Sequence, residues 1–265
     1  MPHAGPPENP WIIHCGEGPL VAAAIHHGHF VRPEVESLLA VGDDTRLREE
    51  DPYTASWTDV APTRIYGTRS RFEFDLNRPP EKAVYLRPDD AWGIQVWKSP
   101  PPAEVIAASK RLYEQFYDEV RRLLEEMTGR HRRVVIFDLH SYNHRRQGAD
   151  GPPADPEQNP QINVGTKSVD GGKWGKVVDR FVERMRTFDY PGGKLDVREN
   201  VKFSGGHFPR WINGRFPGSA CAIAVEVKKF FMDEWTSEVN AGQWQAVRAA
   251  LRFAAEGVLS ELENP

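Results

Sequence analysis

Apolar residues fall along this chain in two patterns: short continuous runs, and longer stretches that repeat at near-helical spacing. The runs Trp11-Ile12-Ile13-His14-Cys15 and Leu20-Val21-Ala22-Ala23-Ala24-Ile25 predict two strands joined by a tight turn at Gly16-Glu17-Gly18-Pro19. Arg133 to Leu139 is β-branched and almost continuously apolar, as expected of a central strand covered on both faces. Gln161–Gly165 and Cys221–Val227 predict two more strands. Phe72-Glu73-Phe74-Asp75-Leu76 alternates as a half-buried strand would, before Asn77-Arg78-Pro79-Pro80 ends it.

Helical spacing is clearest from Ala103 to about Met127, where Ile106, Leu112, Phe116, Val120, Leu123 and Met127 share a face. Residues 173–187 form a second amphipathic helix through Trp174, Val177, Val178, Phe181, Val182 and Met185, and Gln243–Leu262 a third. His131-Arg132-Arg133 then marks a turn between a helix and a buried strand. Residues 42–70 read as polar and irregular. Residues 143–161, with Pro152, Pro153, Pro156, Pro160, Gly148 and Gly151, are too long and polar for a simple connection and predict an active-site lid. Strands interspersed with helices predict an α/β fold: one domain over residues 1–265, with a mixed central sheet in a three-layer α/β/α arrangement.

Composition narrows the function classes. Hydrophobic residues at 39% and charged residues at 27% are ordinary for a globular chain. The net charge of −4, with acids and bases interleaved as in Arg121-Arg122-Leu123-Leu124-Glu125-Glu126, argues against a nucleic-acid partner. No stretch approaches the ~18 apolar residues that cross a bilayer, and Met1-Pro2-His3-Ala4-Gly5-Pro6-Pro7 lacks a leader's pattern, so a cytoplasmic address without membrane association is expected. Nothing in the sequence marks an oligomeric state. Cys15 and Cys221 lie in apolar runs and are expected to be buried. There is no Gly-x-Ser-x-Gly run, and Gly171-Gly172-Lys173-Trp174-Gly175-Lys176 lacks phosphate-loop spacing, so it reads as a turn entering a helix.

Chemistry concentrates at strand ends. His140 follows the apolar run of the central strand in Asp138-Leu139-His140-Ser141-Tyr142; alone it reads equally as a hydrogen-bonded structural residue or as a ligand. His26, His27 and His29 stand at the end of the second strand, at the sheet edge where α/β proteins bind ligands. Zinc takes imidazole nitrogens and a carboxylate oxygen from separate segments. Because residues alternate along a strand, His26 and His27 cannot both face one metal. A carboxylate is available from Glu49-Glu50-Asp51. Glu226, inside an otherwise apolar strand, is either the inward half of an ion pair or a general base with a raised pKa.

These segments, in this order, resemble the N-formylglutamate amidohydrolases, relatives of the zinc carboxypeptidases. The series is Ile25-His26-His27-Gly28, Asp75-Leu76-Asn77-Arg78, Asp138-Leu139-His140-Ser141, Gly205-Gly206-His207 and Glu226. Each motif is weak alone, and five in order are specific. The chain departs from the family's Pro-His-Ser-Gly in its first motif. It also departs from an Asp-Thr-Asp-like run, which here is Glu49-Glu50-Asp51-Pro52-Tyr53-Thr54.

The resemblance implies a phosphorylase/hydrolase-like fold and one zinc held by His26, His140 and either Glu50 or Asp51. Glu226 would be the catalytic glutamate, and Asn77 with Arg78 would clamp a carboxylate of a small-molecule substrate. Arg71 and Arg210 are further candidates for that clamp, because a guanidinium binds a carboxylate through two parallel hydrogen bonds; Arg69 reads as a surface or loop residue. His207 is placed at the substrate by its motif. The implied activity is hydrolysis of the amide in a carboxylate-bearing N-acyl amino acid. Its rivals are a carboxypeptidase-like peptidase, a deacylase of another N-acyl group, and a metal-free binding module on the same fold.

Overall fold

The computed structural model describes residues 9–263, so Met1–Glu8 and the final two residues lie outside it. Seven strands form one mixed sheet: β1 (Trp11–His14), β2 (Leu20–Ala24), β3 (Thr63–Gly67), β4 (Val134–Tyr142), β5 (Ile162–Gly165), β6 (Val197–Glu199) and β7 (Ala220–Lys228). Their spatial order is β1-β3-β2-β4-β7-β5-β6. The β3-β2-β4-β7 core is parallel, while β1 runs antiparallel to β3 and β5 antiparallel to β7. The helices are α1 (Pro33–Glu36), α2 (Asp43–Glu49), α3 (Thr54–Trp57), α4 (Ala103–Arg130), α5 (Gly171–Thr187), α6 (His207–Arg215) and α7 (Ala241–Glu263).

Parity along the central strands explains the layers. Val135, Phe137 and Leu139 of β4 and Cys221, Ile223, Val225 and Val227 of β7 pack with Phe181 of α5 and Leu251 of α7. Val134 and Ile136, with Ala220 and Ala222, face Phe116, Val120 and Leu124 of α4 and Phe208 and Ile212 of α6. Both faces are therefore apolar, which is why β4 reads as a continuous run rather than an alternation. The three-layer α/β/α architecture is as expected. Asp170 caps α5 by accepting from the Gly172 N–H, so the glycine-rich run does enter a helix. On α4 the inward face is set by Tyr113, Phe116, Tyr117, Val120, Leu124 and Met127, with Leu112 and Leu123 at its margins.

Four expectations are corrected. The first two strands do not form a hairpin, because β3 lies between them. Cys15 is exposed, whereas Cys221 is buried. Phe72–Leu76 forms turns rather than a strand: its apolar residues pack in two different clusters, and Glu73 and Asp75 are fully buried beside them. Glu73 is held by the Arg32 guanidinium and backbone N–H, and Asp75 by a polar cluster described below. Both sides of the segment are thus inside, so the alternation reflects buried ion pairs and not a solvent face. Finally, the irregular stretch 42–70 contains α2, α3 and β3; in β3 the apolar signal is short because only Thr63, Ile65 and Gly67 are buried.

Candidate active site

The even-numbered residues of β4 change character along the strand. Val134 and Ile136 are core, whereas Asp138 and His140 are the next two positions on the same face. Glu226 of β7 is paired in register with His140, following Ala220, Ala222 and Ala224 on its own strand. The methyl side chains leave room beside the carboxylates. His140 lies within β4, which continues to Tyr142, rather than just beyond it.

His26 follows β2, the neighbour of β4, and its ring centroid is 4.8 Å from that of His140. The Nδ1 atoms of both rings turn to one oxygen, Asp51 Oδ2, at 3.6 Å for His26 and 2.9 Å for His140. Asp51 reaches this position because Glu50 is extended (φ −81°, ψ 176°), which sends consecutive side chains to opposite sides. The Glu50 carboxylate accordingly points elsewhere, to His29 Nδ1 at 2.6 Å and to the Ser70 hydroxyl. Asp51, not Glu50, joins the two histidines. The buried Lys229 ammonium donates to the carbonyls of Arg48 and Glu50 at 2.6 and 2.8 Å and so fixes this short segment.

Each histidine is backed by a second carboxylate. His26 Nε2 lies 2.7 Å from Asp75 Oδ1, and His140 Nε2 lies 3.0 Å from Asp138 Oδ1. Asp75 also accepts from the Arg71 guanidinium at 2.8 Å, from the Tyr85 hydroxyl and from the Asn77 N–H at 2.7 Å. Among the described residues, Asp138 has only its contact with His140, without the alignment of a hydrogen bond. His27 is the other parity: its ring sits edge-on to Tyr66, and burial pushes its pKa down to about 4.

The electrostatics follow from this crowding. Burial disfavours the charge on Asp51, but its bonds to His140 and His26 hold its pKa below the usual carboxylate range. Burial likewise opposes protonation of His140, and the carboxylates of Asp138 and Glu226 outweigh it and raise its pKa. Glu226 is pushed up to about 7 by burial, with Asp51 and Asp138 adding to the shift. A ring nitrogen from each of His26 and His140 and an oxygen of Asp51 all lie within 4.8 Å of one another. Two imidazoles and a carboxylate so placed suit a divalent metal, and carboxylates behind the distal ring nitrogens are the usual support for histidine ligands.

The group opens into a cavity of about 560 Å³. Asn77, Arg78, Arg71 and Arg210 line it, as does Glu226. Their freedom differs. Arg78 and Arg210 are exposed or partly so, whereas Arg71 is committed to Asp75 and donates to Tyr85. Asn77 Oδ1 accepts from the Phe208 N–H at the start of α6, and its Nδ2 lies 3.3 Å from His140 Nε2. Gly205 and Gly206 make that approach feasible: Gly205 has φ 102°, and a Cβ at Gly206 would fall 2.2 Å from Asn77 Oδ1. His207 does not reach the cavity wall, because its ring packs against Tyr117 of α4, 5.7 Å between centroids. Tyr142, which the motif of His140 puts at the rim, lines the cavity, as do Trp92, Arg146, Lys202 and Lys229, which sequence patterns did not single out as site residues. Three of these, Arg146, Lys202 and Lys229, are cationic, and no strand or helix period marks them. A more open depression of about 600 Å³ lies beyond Lys229, bordered by His144, Asp233 and Glu234.

A sequence model of the N-formylglutamate amidohydrolase family matches residues 18–231, a span that contains every residue of the histidine–carboxylate group and Glu226. No curated protein matches the chain. Among solved structures it is similar to N-formylglutamate amidohydrolase from Ralstonia eutropha JMP134, with a TM-score of 0.74 at 16% identity, covering 96% of this chain and 98% of that one. It is also similar to a gene product of Agrobacterium tumefaciens, with a TM-score of 0.70 at 17% identity and 96% of each chain covered. At such identities the structural likeness speaks for the fold, and the matched span, which takes in β2 through β7 with the polar group at their ends, speaks for the lineage: this chain belongs to the N-formylglutamate amidohydrolase family.

Proposed function

We propose that the protein is a zinc-dependent hydrolase of the amide bond in small, carboxylate-bearing N-acyl amino acids, and that Glu226 is its general base and acid. The observation that carries this reading is the buried group of His26, Asp51 and His140, backed by Asp75 and Asp138, with Glu226 in register beside His140. Those three residues would hold the ion. When bound there, a divalent metal supplies Lewis acidity that polarises a carbonyl and lowers the pKa of water toward ~7.

The residues of the chain divide the remaining work. Arg78 and Arg210, both accessible in the cavity, bind the substrate's carboxylate and set the amide against Glu226. Arg71, neutralised by Asp75, holds the wall behind them. Asn77 keeps α6 and its glycines in place and offers its Nδ2 toward the cavity. Glu226 Oε takes a proton from water as its oxygen bonds to the carbonyl carbon. The same carboxyl then returns the proton to the amide nitrogen as the C–N bond breaks, releasing a carboxylic acid and a free amine. A pKa near 7 suits a group that must both accept and give a proton at neutral pH. Residues 143–161 are the lid of this cavity in our reading, entered through Asn143 and Arg146 on its wall.

Elemental analysis and a substrate panel test the proposal. Purified protein should contain about one zinc per chain and hydrolyse N-formyl-L-glutamate or a related N-acyl amino acid. His140→Ala should lose both metal and turnover, and full metal retention in that variant would sink the assignment. Glu226→Gln should keep its metal while turnover falls by a factor on the order of 10² or more. Unchanged turnover there would return Glu226 to a structural role.

A further inference from the structure

Trp92 stands at the rim of the cavity with φ 54° and ψ 30°, a left-handed conformation that bulky residues rarely adopt. Glycine or asparagine would relax this turn. An indole occupies it instead and leaves 44% of its surface exposed. Backbone strain of this kind persists where the surrounding structure over-determines it, and it collects at ligand clamps. Here the ring is held by the Arg71 guanidinium, 4.8 Å from its centroid, and by the edge of Tyr85 at 6.1 Å, with Arg146 at 5.9 Å.

A second ring borders the same cavity. Phe203, 36% exposed, leans edge-on against Tyr142 at 5.4 Å, and the Lys202 ammonium is 5.7 Å from its centroid. None of these groups has a part in holding the carboxylate or moving the proton. A cavity of about 560 Å³ lies in the range of about 300–1,000 Å³ that holds drug-sized ligands, more than a formylated glutamate needs.

We propose that this part of the cavity is a subsite for a flat, ring-bearing side chain, so that the preferred substrate is an N-acyl amino acid with an aromatic side chain. The inference rests on the amide-hydrolase reading for its reaction but not for its binding. Trp92 and Phe203 give the ring apolar faces. Arg146 and Lys202 beside the rings favour an electron-rich ring, because cations and π-faces attract.

The test compares N-formyl-L-tyrosine with N-formyl-L-glutamate by kcat/KM on the zinc-loaded wild type. In parallel, calorimetry measures binding of N-methyl-L-tyrosine and N-methyl-L-glutamate, which have no amide to cleave. We expect the tyrosine compound to be favoured about tenfold in both readouts, the size of one well-made ring contact. Trp92→Asn should abolish that preference while Tm stays the same or rises, since asparagine suits the left-handed turn; Trp92→Phe should restore most of the preference. Equal or tighter binding of N-methyl-L-glutamate by the wild type, or a ring preference that survives Trp92→Asn, would overturn the subsite. A binding preference with neither formyl compound hydrolysed would support the subsite and remove the deformylase reading. Hydrolysis of N-formyl-L-glutamate with no ring preference in either readout would do the reverse.

Discussion

The two histidines of the site are supported from two unlike regions, and the contrast shows how this fold positions charge. His140 and Asp138 sit on β4, where the hydrogen-bonded ladder to β7 fixes the backbone that carries both; among the described residues the Asp138 carboxylate has no hydrogen-bond partner and only an ion-pair contact, with His140. His26 is supported instead by Asp75, from a stretch between residues 68 and 79 that has no strand or helix. There the backbone is held by side chains: Asp75 joins Arg71, Tyr85, His26 and the Asn77 N–H, while Glu50 joins Ser70 and His29. In the strands, geometry comes from the backbone and the charge is an addition. In the loops, the buried charges are themselves the scaffold.

That contrast predicts different costs for equivalent changes. Asp75→Ala leaves the Arg71 guanidinium and the Tyr85 hydroxyl buried without their partner, and breaking a buried pair in this way costs about 3–5 kcal/mol. Denaturant unfolding should show that loss, with activity abolished because the 68–79 segment also carries Asn77 and Arg78. Asp138→Ala removes a carboxylate that holds nothing else, so its stability should stay within about 1 kcal/mol of wild type. If the group holds a metal as proposed, the effect falls there: removal of such a supporting carboxylate typically lowers affinity by about 10–100-fold, measurable by competition with a chelator. If the two variants were equally unstable, the distinction between backbone-held and charge-held halves would be broken.

The same distinction explains what the sequence made legible. Burial on both faces wrote β4 and β7 as apolar runs, and one-sided burial wrote α4 and α5 at helical spacing, so these elements were read from pattern alone. Glu226 stood out for the same reason, as a charge inside such a run. The charge-held half gave no such period. Phe72–Leu76 imitated a strand because its acids are buried by partners that are distant in sequence, such as Arg32 to Glu73 across 41 positions. The choice between Glu50 and Asp51 turned on one extended residue, which no composition or spacing records. His207 follows its motif to the start of α6, where its backbone N–H donates to the Asn77 carbonyl while its ring turns to Tyr117, an orientation that spacing does not record. Of the cavity wall, His26, His140 and Glu226 at the sheet and Arg71, Asn77, Arg78 and Arg210 were named from the sequence, and Trp92, Arg146 and Lys202 were not.

The smallest expected effect concerns Glu226, the one charge that the strand half must hold without an ion-pair scaffold. Burial raises its pKa from the usual carboxylate value to about 7, so the fraction able to accept a proton grows as pH rises through neutrality. The profile of kcat/KM should therefore have an acid limb with a midpoint near or below pH 7, because a bound cation would pull the carboxyl down. Stability should move the other way. A carboxyl whose folded pKa exceeds its unfolded value binds more protons in the folded state. Its contribution is thus fully present below the unfolded pKa near 4.5 and is lost as pH rises through about 7. In metal-free protein, Glu226→Gln should then raise Tm relative to wild type at pH 8 and leave it nearly unchanged at pH 4 to 5. A variant less stable than wild type at pH 8 would mean that the strand half, like the loops, depends on its buried charge for its shape, and the contrast between the two regions would fail at its most exposed point.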